Sequence, residues 1–169
     1  MIRIYFILLF FCISIYCSAQ SIEKRYSNYL GNNGVINFFH PQKLSKNTNI
    51  DMFVYDMTYI SHSDSVTVNC SLKTKSPNSI KSLLLTNSNY NILANDLAIL
   101  YRDVQKRGYE IRFTSRFSFN DIKRAFEDLE PLTFKVILNE DLCCIASYSK
   151  SKWEKESLNI MRIFESINF

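Results

Sequence analysis

Glycine is nearly missing from this chain. Its 169 residues include three glycines, Gly31, Gly34 and Gly108, with three prolines and two histidines. A loop that wraps a phosphate needs several glycines close together so that the backbone can approach the ligand, and these three cannot build one. The G-x-S-x-G elbow of serine hydrolases is absent as well. His40 and His62 each lack a second histidine at ligand spacing, so no local metal motif exists and neither a metal nor a cofactor is expected. Charge of one sign is also scarce: 20 Lys and Arg stand against 16 Asp and Glu, spread along the chain. Nucleic-acid binding needs a concentrated basic patch, and none is present. No internal repeat or low-complexity tract points to a solenoid or a linker.

The chain does have one long apolar run, at its start. Arg3 precedes Ile4 to Tyr16, which carry no charge, and Cys17-Ser18-Ala19 follow with small residues where a signal peptidase requires them. As a helix the run spans about 20 Å at roughly 1.5 Å per residue, short of the roughly 30 Å of a bilayer core. Residues 1–19 therefore read as a cleaved signal peptide, with Gln20 as the new N-terminus and no transmembrane anchor left. Lipid attachment at Cys12 or Cys17 is disfavoured by the bulky Phe11 and Tyr16 before them. Residues 20–169 are the right length for one domain. Losing Arg3 with the signal lowers the net charge from +4 to +3.

Period-two patterns dominate the chain beyond the signal. Met52 to Ile60 and Ser65 to Lys73 read as a hairpin around Ser61-His62-Ser63-Asp64. Phe53, Tyr55, Met57 and Tyr59 form the buried set of its first arm, and Val66, Val68, Cys70 and Leu72 that of the second. Ile80 to Thr86 is a further strand. Tyr109, Ile111, Phe113 and Phe117 face inward along the next, while Glu110, Arg112, Thr114 and Arg116 face outward. Leu132 to Leu138 and Leu142 to Tyr148 make a second hairpin, and Val35 to Phe39 an edge strand ended by Pro41. Helices are expected from Asn95 to Gly108, where Leu97, Leu100, Tyr101 and Val104 fall at helical spacing, after the Ser118 cap through Leu129, and from Ser151 to Ile167. The expected architecture is α+β: an antiparallel sheet of about six to seven strands with two to three helices packed on one face.

Reactive constellations are few. Cys70, Cys143 and Cys144 remain after signal cleavage, and an exported chain makes a disulfide a candidate. Cys143 and Cys144 point to opposite faces of a strand and cannot both reach one partner; Cys144 shares its face with Leu142 and Ala146, which makes a Cys70–Cys144 bridge across the core one possible pairing, with Cys70–Cys143 left open. The alternative is three reduced thiols buried as small hydrophobes. A thiol nucleophile at Cys143 or Cys144 would need His40 or His62 beside it. Glu127, Asp128, Glu130, Glu154 and Glu156 read as solvated helix surface, and Asp64-Ser65-Val66 resembles a short acceptor motif for O-glycosylation. Arg112 and Arg116 are the candidate binding residues. They stand about 13 Å apart on one strand face at roughly 3.3 Å per residue, able to line a groove or to pair across strands with Glu110 or Lys135.

The functional expectation is an exported protein, periplasmic or secreted, without catalytic activity. It would bind a protein or cell-envelope partner, as an accessory or as an inhibitor or immunity component. The alternatives are a small envelope enzyme, thiol-dependent or hydrolytic, and a small-ligand carrier with a cavity between sheet and helices.

Overall fold

A computed structural model describes residues 25–46, 50–75, 79–139 and 142–167. The expected signal peptide and its cleavage site lie outside them. Eleven strands and two helices are described, and every strand pair is antiparallel. One sheet has six strands: β1 (Tyr26–Gly31), β2 (Gly34–Lys43), β4 (Ile50–Ile60), β5 (Ser65–Thr74), β9 (Gly108–Ser118) and β8 (Asp96–Gln105), in the order β1-β2-β4-β5-β9-β8. The other has five: β3 (Ser45–Lys46), β11 (Leu142–Ser147), β10 (Thr133–Asn139), β6 (Ser82–Thr86) and β7 (Asn91–Leu93), in the order β3-β11-β10-β6-β7. The helices are α1 (Phe119–Glu127) and α2 (Lys150–Ile167).

Both helices and the second sheet pack on one face of the first sheet. Phe53, Tyr55, Met57, Tyr59, Val66, Val68, Cys70, Leu72, Ile111, Phe113 and Phe117 are all buried on that inner face, as their alternation requires. Over one half of it lies the five-stranded sheet, with the Phe134 ring 5.5 Å from Phe53 and 4.5 Å from Tyr55. The helices cover the other half. Phe164 of α2 approaches Phe39 at 5.4 Å, Phe119 stacks on Tyr59 at 4.4 Å, and Phe126 stacks on Trp153 at 5.3 Å. The Ser118 cap forms as expected, its hydroxyl accepting the Asp121 N–H at 3.5 Å. α+β with antiparallel pairing is thus observed, with the strands divided between two sheets and not held in one.

Three expectations are corrected. The segment from Asn95 to Gly108 is no helix: β8 pairs with β9 from Asp96↔Arg116 to Gln105↔Gly108, and Lys106-Arg107 form the turn of that hairpin. Leu97, Leu100, Tyr101 and Val104 fit a helical stripe by spacing, yet Leu100, Tyr101 and Val104 are exposed. A strand neighbour offering pairing along the segment outweighs a helical stripe of which only Leu97 packs against the core. Gly108 takes φ +125°, the backbone that closes this hairpin, and does not cap a helix. β2 is not an edge, since β1 covers it, and it continues through Pro41 to Lys43 by way of a register shift between Phe39 and Gln42.

Candidate functional site

The outer face of the six-stranded sheet carries the side chains that alternate with the core. Near its centre a charged network crosses three strands. Asp56 of β4 stands opposite Asn69 of β5, and Ser71 of β5 stands opposite Arg112 of β9. The Asp56 carboxylate accepts from Asn69 Nδ2 at 2.6 Å through one oxygen and from an Arg112 terminal nitrogen at 2.6 Å through the other. The second terminal nitrogen of Arg112 donates to Ser71 Oγ at 2.9 Å. Asp56 keeps 1% of its side-chain exposure and Arg112 29%. The guanidinium therefore roofs a buried carboxylate, and its donors are turned into the sheet.

Arg116 is paired more openly. It meets Asp96 of β8, directly opposite, through Nε at 2.6 Å and a terminal nitrogen at 2.5 Å, and its backbone N–H donates to the other Asp96 oxygen at 2.9 Å. Those hydrogen bonds hold the Asp96 carboxyl below the usual range. Lys73 and Glu110 form a third cross-strand pair at 3.4 Å, and Tyr101 donates to Glu110 at 3.2 Å. Both arginines lie on the outer face as their alternation requires, but their partners differ from those expected. Glu110 is taken by Lys73 and Tyr101, and Lys135 lies in the five-stranded sheet. The outward position of Asp56, between inward Tyr55 and Met57, was the available signal for the true partner.

The β1-β2-β4 side of the same face is apolar. Pairing places Tyr29, Ile36, Phe38 and Ile60 together on it, with His40 beside Phe38 at a ring distance of 5.5 Å. His40 Nε2 lies 3.1 Å from Ser27 Oγ. His62 occupies the β4–β5 turn with φ 68°. Asp64 of the short Asp-Ser-Val motif is exposed beside that turn, while Ser65 is half-buried and its N–H is bonded to Ser63 Oγ at 3.2 Å.

Cys70, Cys143 and Cys144 are free thiols, so the Cys70–Cys144 bridge considered from sequence is not formed in this structure. Cys70 belongs to β5 and Cys144 to β11, in different sheets. Burial pushes the Cys70 thiol well above its usual value, with the Asp56 carboxylate adding to it, and raises Cys144 to about 11. Both shifts oppose thiolate formation.

A second polar cluster was not anticipated. Glu156 of α2, expected on the surface, is buried and bonded to Arg25 at 2.6 Å. Gln42 also accepts from Arg25, and the buried hydroxyls of Tyr55 and Tyr148 bond to each other nearby. Burial raises both phenols. The cleft beside them, bordered by Phe39, Tyr55, Glu156 and Ile160, leaves about 10 Å³ to the centre of a water molecule, room for about one water. Among the described residues no group of three or more His, Cys, Asp and Glu could hold a metal ion, and no helix is long and apolar enough to cross a membrane.

No protein-family model, curated protein or solved structure matches the chain. Its two-sheet architecture and its outer face are therefore the basis for a functional reading.

Proposed function

We propose that this is an exported, non-catalytic binding protein that recognises a protein or cell-envelope partner through the outer face of its six-stranded sheet. One observation carries the reading: both helices and the second sheet pack on the opposite face, leaving this one uncovered by any described element. Six strands about 4.8 Å apart and about 10 residues long span roughly 25 by 33 Å, on the order of 800 Å², which is the area one partner contributes to a standard interface. Its central charges are satisfied within the sheet. Recognition would then be led by the apolar flank of Tyr29, Phe38 and Ile60, with the exposed Arg116–Asp96 pair at the rim. The periplasm or the extracellular space is the proposed location, on the strength of the Arg3, Ile4–Tyr16 and Cys17-Ser18-Ala19 pattern. A thiol enzyme is the weaker alternative, because burial holds Cys144 protonated near neutral pH.

The test is affinity capture from detergent-solubilised envelope of the native host, using wild type beside two variants. Phe38→Asp alters the outer face and Lys135→Glu alters the other sheet. The expected result is a stoichiometric partner held by wild type and Lys135→Glu and lost by Phe38→Asp. A partner retained equally by all three places binding elsewhere and overturns the assignment of the face. N-terminal sequencing of the exported protein tests location, with Gln20 expected as the first residue.

A further inference from the structure

Among the described residues four strands stand at sheet edges: β1 and β8 in one sheet, β3 and β7 in the other. An exposed edge is a template for another chain, and proteins blunt it by shortness, charge, proline or a bulge. β3 and β7 are blunted by length, at two and three residues. β8 carries Asp96, Arg102 and Asp103 and has a register irregularity between Ile99 and Tyr101. β1, Tyr-Ser-Asn-Tyr-Leu-Gly, has none of these protections. Its six residues include no charge and no proline, and they pair with β2 without a shift from Tyr26↔Phe39 to Gly31↔Gly34. Tyr29 and Leu30 are 55% and 86% exposed on it.

The register decides which backbone groups are open. His40 N–H donates to the Arg25 carbonyl at 2.8 Å. Antiparallel alternation from that pair gives Ser27, Tyr29 and Gly31 their bonds to β2, so Tyr26, Asn28 and Leu30 turn their N–H and C=O groups to the free edge. We propose that β1 pairs antiparallel with β1 of a second copy, about a two-fold axis through Asn28, joining the two six-stranded sheets edge to edge. In this register Asn28 faces the partner subunit's Asn28, and Tyr26 faces the partner subunit's Leu30. All three open N–H and C=O pairs of each strand are then bonded. A shift by two residues in either direction leaves one such residue unpaired in each copy.

The side chains argue for a second copy over a foreign strand. On the inner face Leu30 comes to lie against the aromatic ring of the partner subunit's Tyr26, and on the outer face Tyr29 lies beside the partner subunit's Ser27. The exposed apolar groups and the groups that cover them thus belong to the same six residues. No like charges meet. The inference does not depend on the proposed function, since it uses backbone groups of an edge and not the outer face. An interface built on one strand pair is below the roughly 1,200 Å² of a standard complex, so the dimer is a weak one that forms at micromolar concentration or above.

The experiment is sedimentation velocity of the mature chain from about 1 to 500 µM, a span that brackets weak association, with one variant for association and two for oxidative cross-linking. The expected result is a reversible monomer–dimer equilibrium that Leu30→Lys abolishes over the same range, while its circular dichroism and thermal midpoint stay at wild-type values. Asn28→Cys tests the axis. Hydrogen-bonded antiparallel neighbours have Cα atoms about 5.5 Å apart, inside the disulfide range of about 4.4–6.8 Å, so mild oxidation should link two copies through Cys at position 28. Asn33→Cys, in the β1–β2 turn, should remain unlinked. A protein monomeric throughout whose Asn28→Cys variant stays unlinked overturns the proposal. So does a dimer that survives Leu30→Lys, or linkage at position 33 as efficient as at position 28.

Discussion

Replacing Arg112 with methionine should destabilise this protein far more than replacing Arg116, although both arginines stand on the same strand face and each has a carboxylate partner. The Arg112 terminal nitrogen lies 2.6 Å from a carboxylate that is 1% exposed. Two unit charges about 4 Å apart attract by roughly 4 kcal/mol at an effective dielectric of about 20, and desolvation offsets much of that when both partners are present. Removing one partner is different, because the desolvated charge of Asp56 is left with Asn69 alone. Such truncations cost about 3–5 kcal/mol, and the partial exposure of the guanidinium puts Arg112→Met near the lower end, about 3 kcal/mol. Arg116 is 63% exposed and its partner 42%, so solvent screens that pair and Arg116→Met should cost far less than Arg112→Met. The double variant Asp56→Leu/Arg112→Met removes both charges and should recover most of the loss, giving a coupling of about 2 kcal/mol in a double-mutant cycle. Urea unfolding followed by tryptophan fluorescence reads the four members of the cycle, Asp56→Leu among them, and Arg116→Met beside them, Trp153 being the single tryptophan and buried. Equal, small costs for Arg112→Met and Arg116→Met, or additive single variants, would refute the view that Arg112 is committed to the sheet. Arg112 would then again be a candidate for contacting a partner.

Alkaline pH should destabilise the fold. Burial raises Cys70, Cys144, Tyr55 and Tyr148 above their ordinary values; a raised group gives stability that is complete below its unfolded pKa, about 8.5 for thiols and 10 for phenols, and lost above it. Each such group lowers stability by about 1.4 kcal/mol per pH unit above that point, so urea midpoints should fall from pH 9 to 11, and Cys70→Ala should reduce the slope; a flat profile would contradict the burial argument. Gly108→Ala should cost about 3 kcal/mol or more, because a β-carbon at φ +125° would stand 2.4 Å from the Thr74 carbonyl oxygen. Gly34→Ala, at φ +124° with its nearest neighbour 3.4 Å away, carries the backbone strain without that clash and should cost less by thermal denaturation. Glu156→Gln should lower the thermal midpoint by weakening the buried bond to Arg25, and an unchanged midpoint would remove that pair from the account of how α2 is held.

Legibility in the sequence followed burial. β4, β5 and β9 have one fully packed face, so Phe53 to Tyr59, Val66 to Leu72 and Tyr109 to Phe117 alternate cleanly and their inward residues could be read directly. β8 lies at an edge and buries little. Its irregularity near Leu100 breaks the period of two, and the remaining Leu97, Tyr101 and Val104 coincide with a helical stripe. β1 alternates weakly for the same reason, and β3 and β7 are too short to carry a period. Division into two sheets depends on strand order, which no local pattern encodes: Leu83 and Val136 read as buried strand residues whichever strand they pair with. The candidate face shows the same limit. Outward positions of Asp56, Asn69, Ser71 and Arg112 follow from alternation, but their convergence follows only from the adjacency of β4, β5 and β9.

The outer face and the β1 edge use different chemistry, and a pair of variants can therefore separate them. Phe38→Asp changes a side chain on the second strand from the border, on the outer face, where it does not occupy the open N–H and C=O groups of Tyr26, Asn28 and Leu30. Leu30→Lys changes the inner side of the edge and leaves Phe38 and Ile60 on the opposite side of the sheet. If the copies join through β1, their outer faces become one continuous surface with Tyr29 near the axis, and a partner with two equivalent sites would gain avidity from the dimer. Leu30→Lys should then weaken capture of a two-fold partner without abolishing it, whereas Phe38→Asp should abolish capture and leave sedimentation unchanged. Loss of capture and of dimer together in both variants would mean that one surface serves both roles, and the separation of face from edge argued from the β1 register would be wrong.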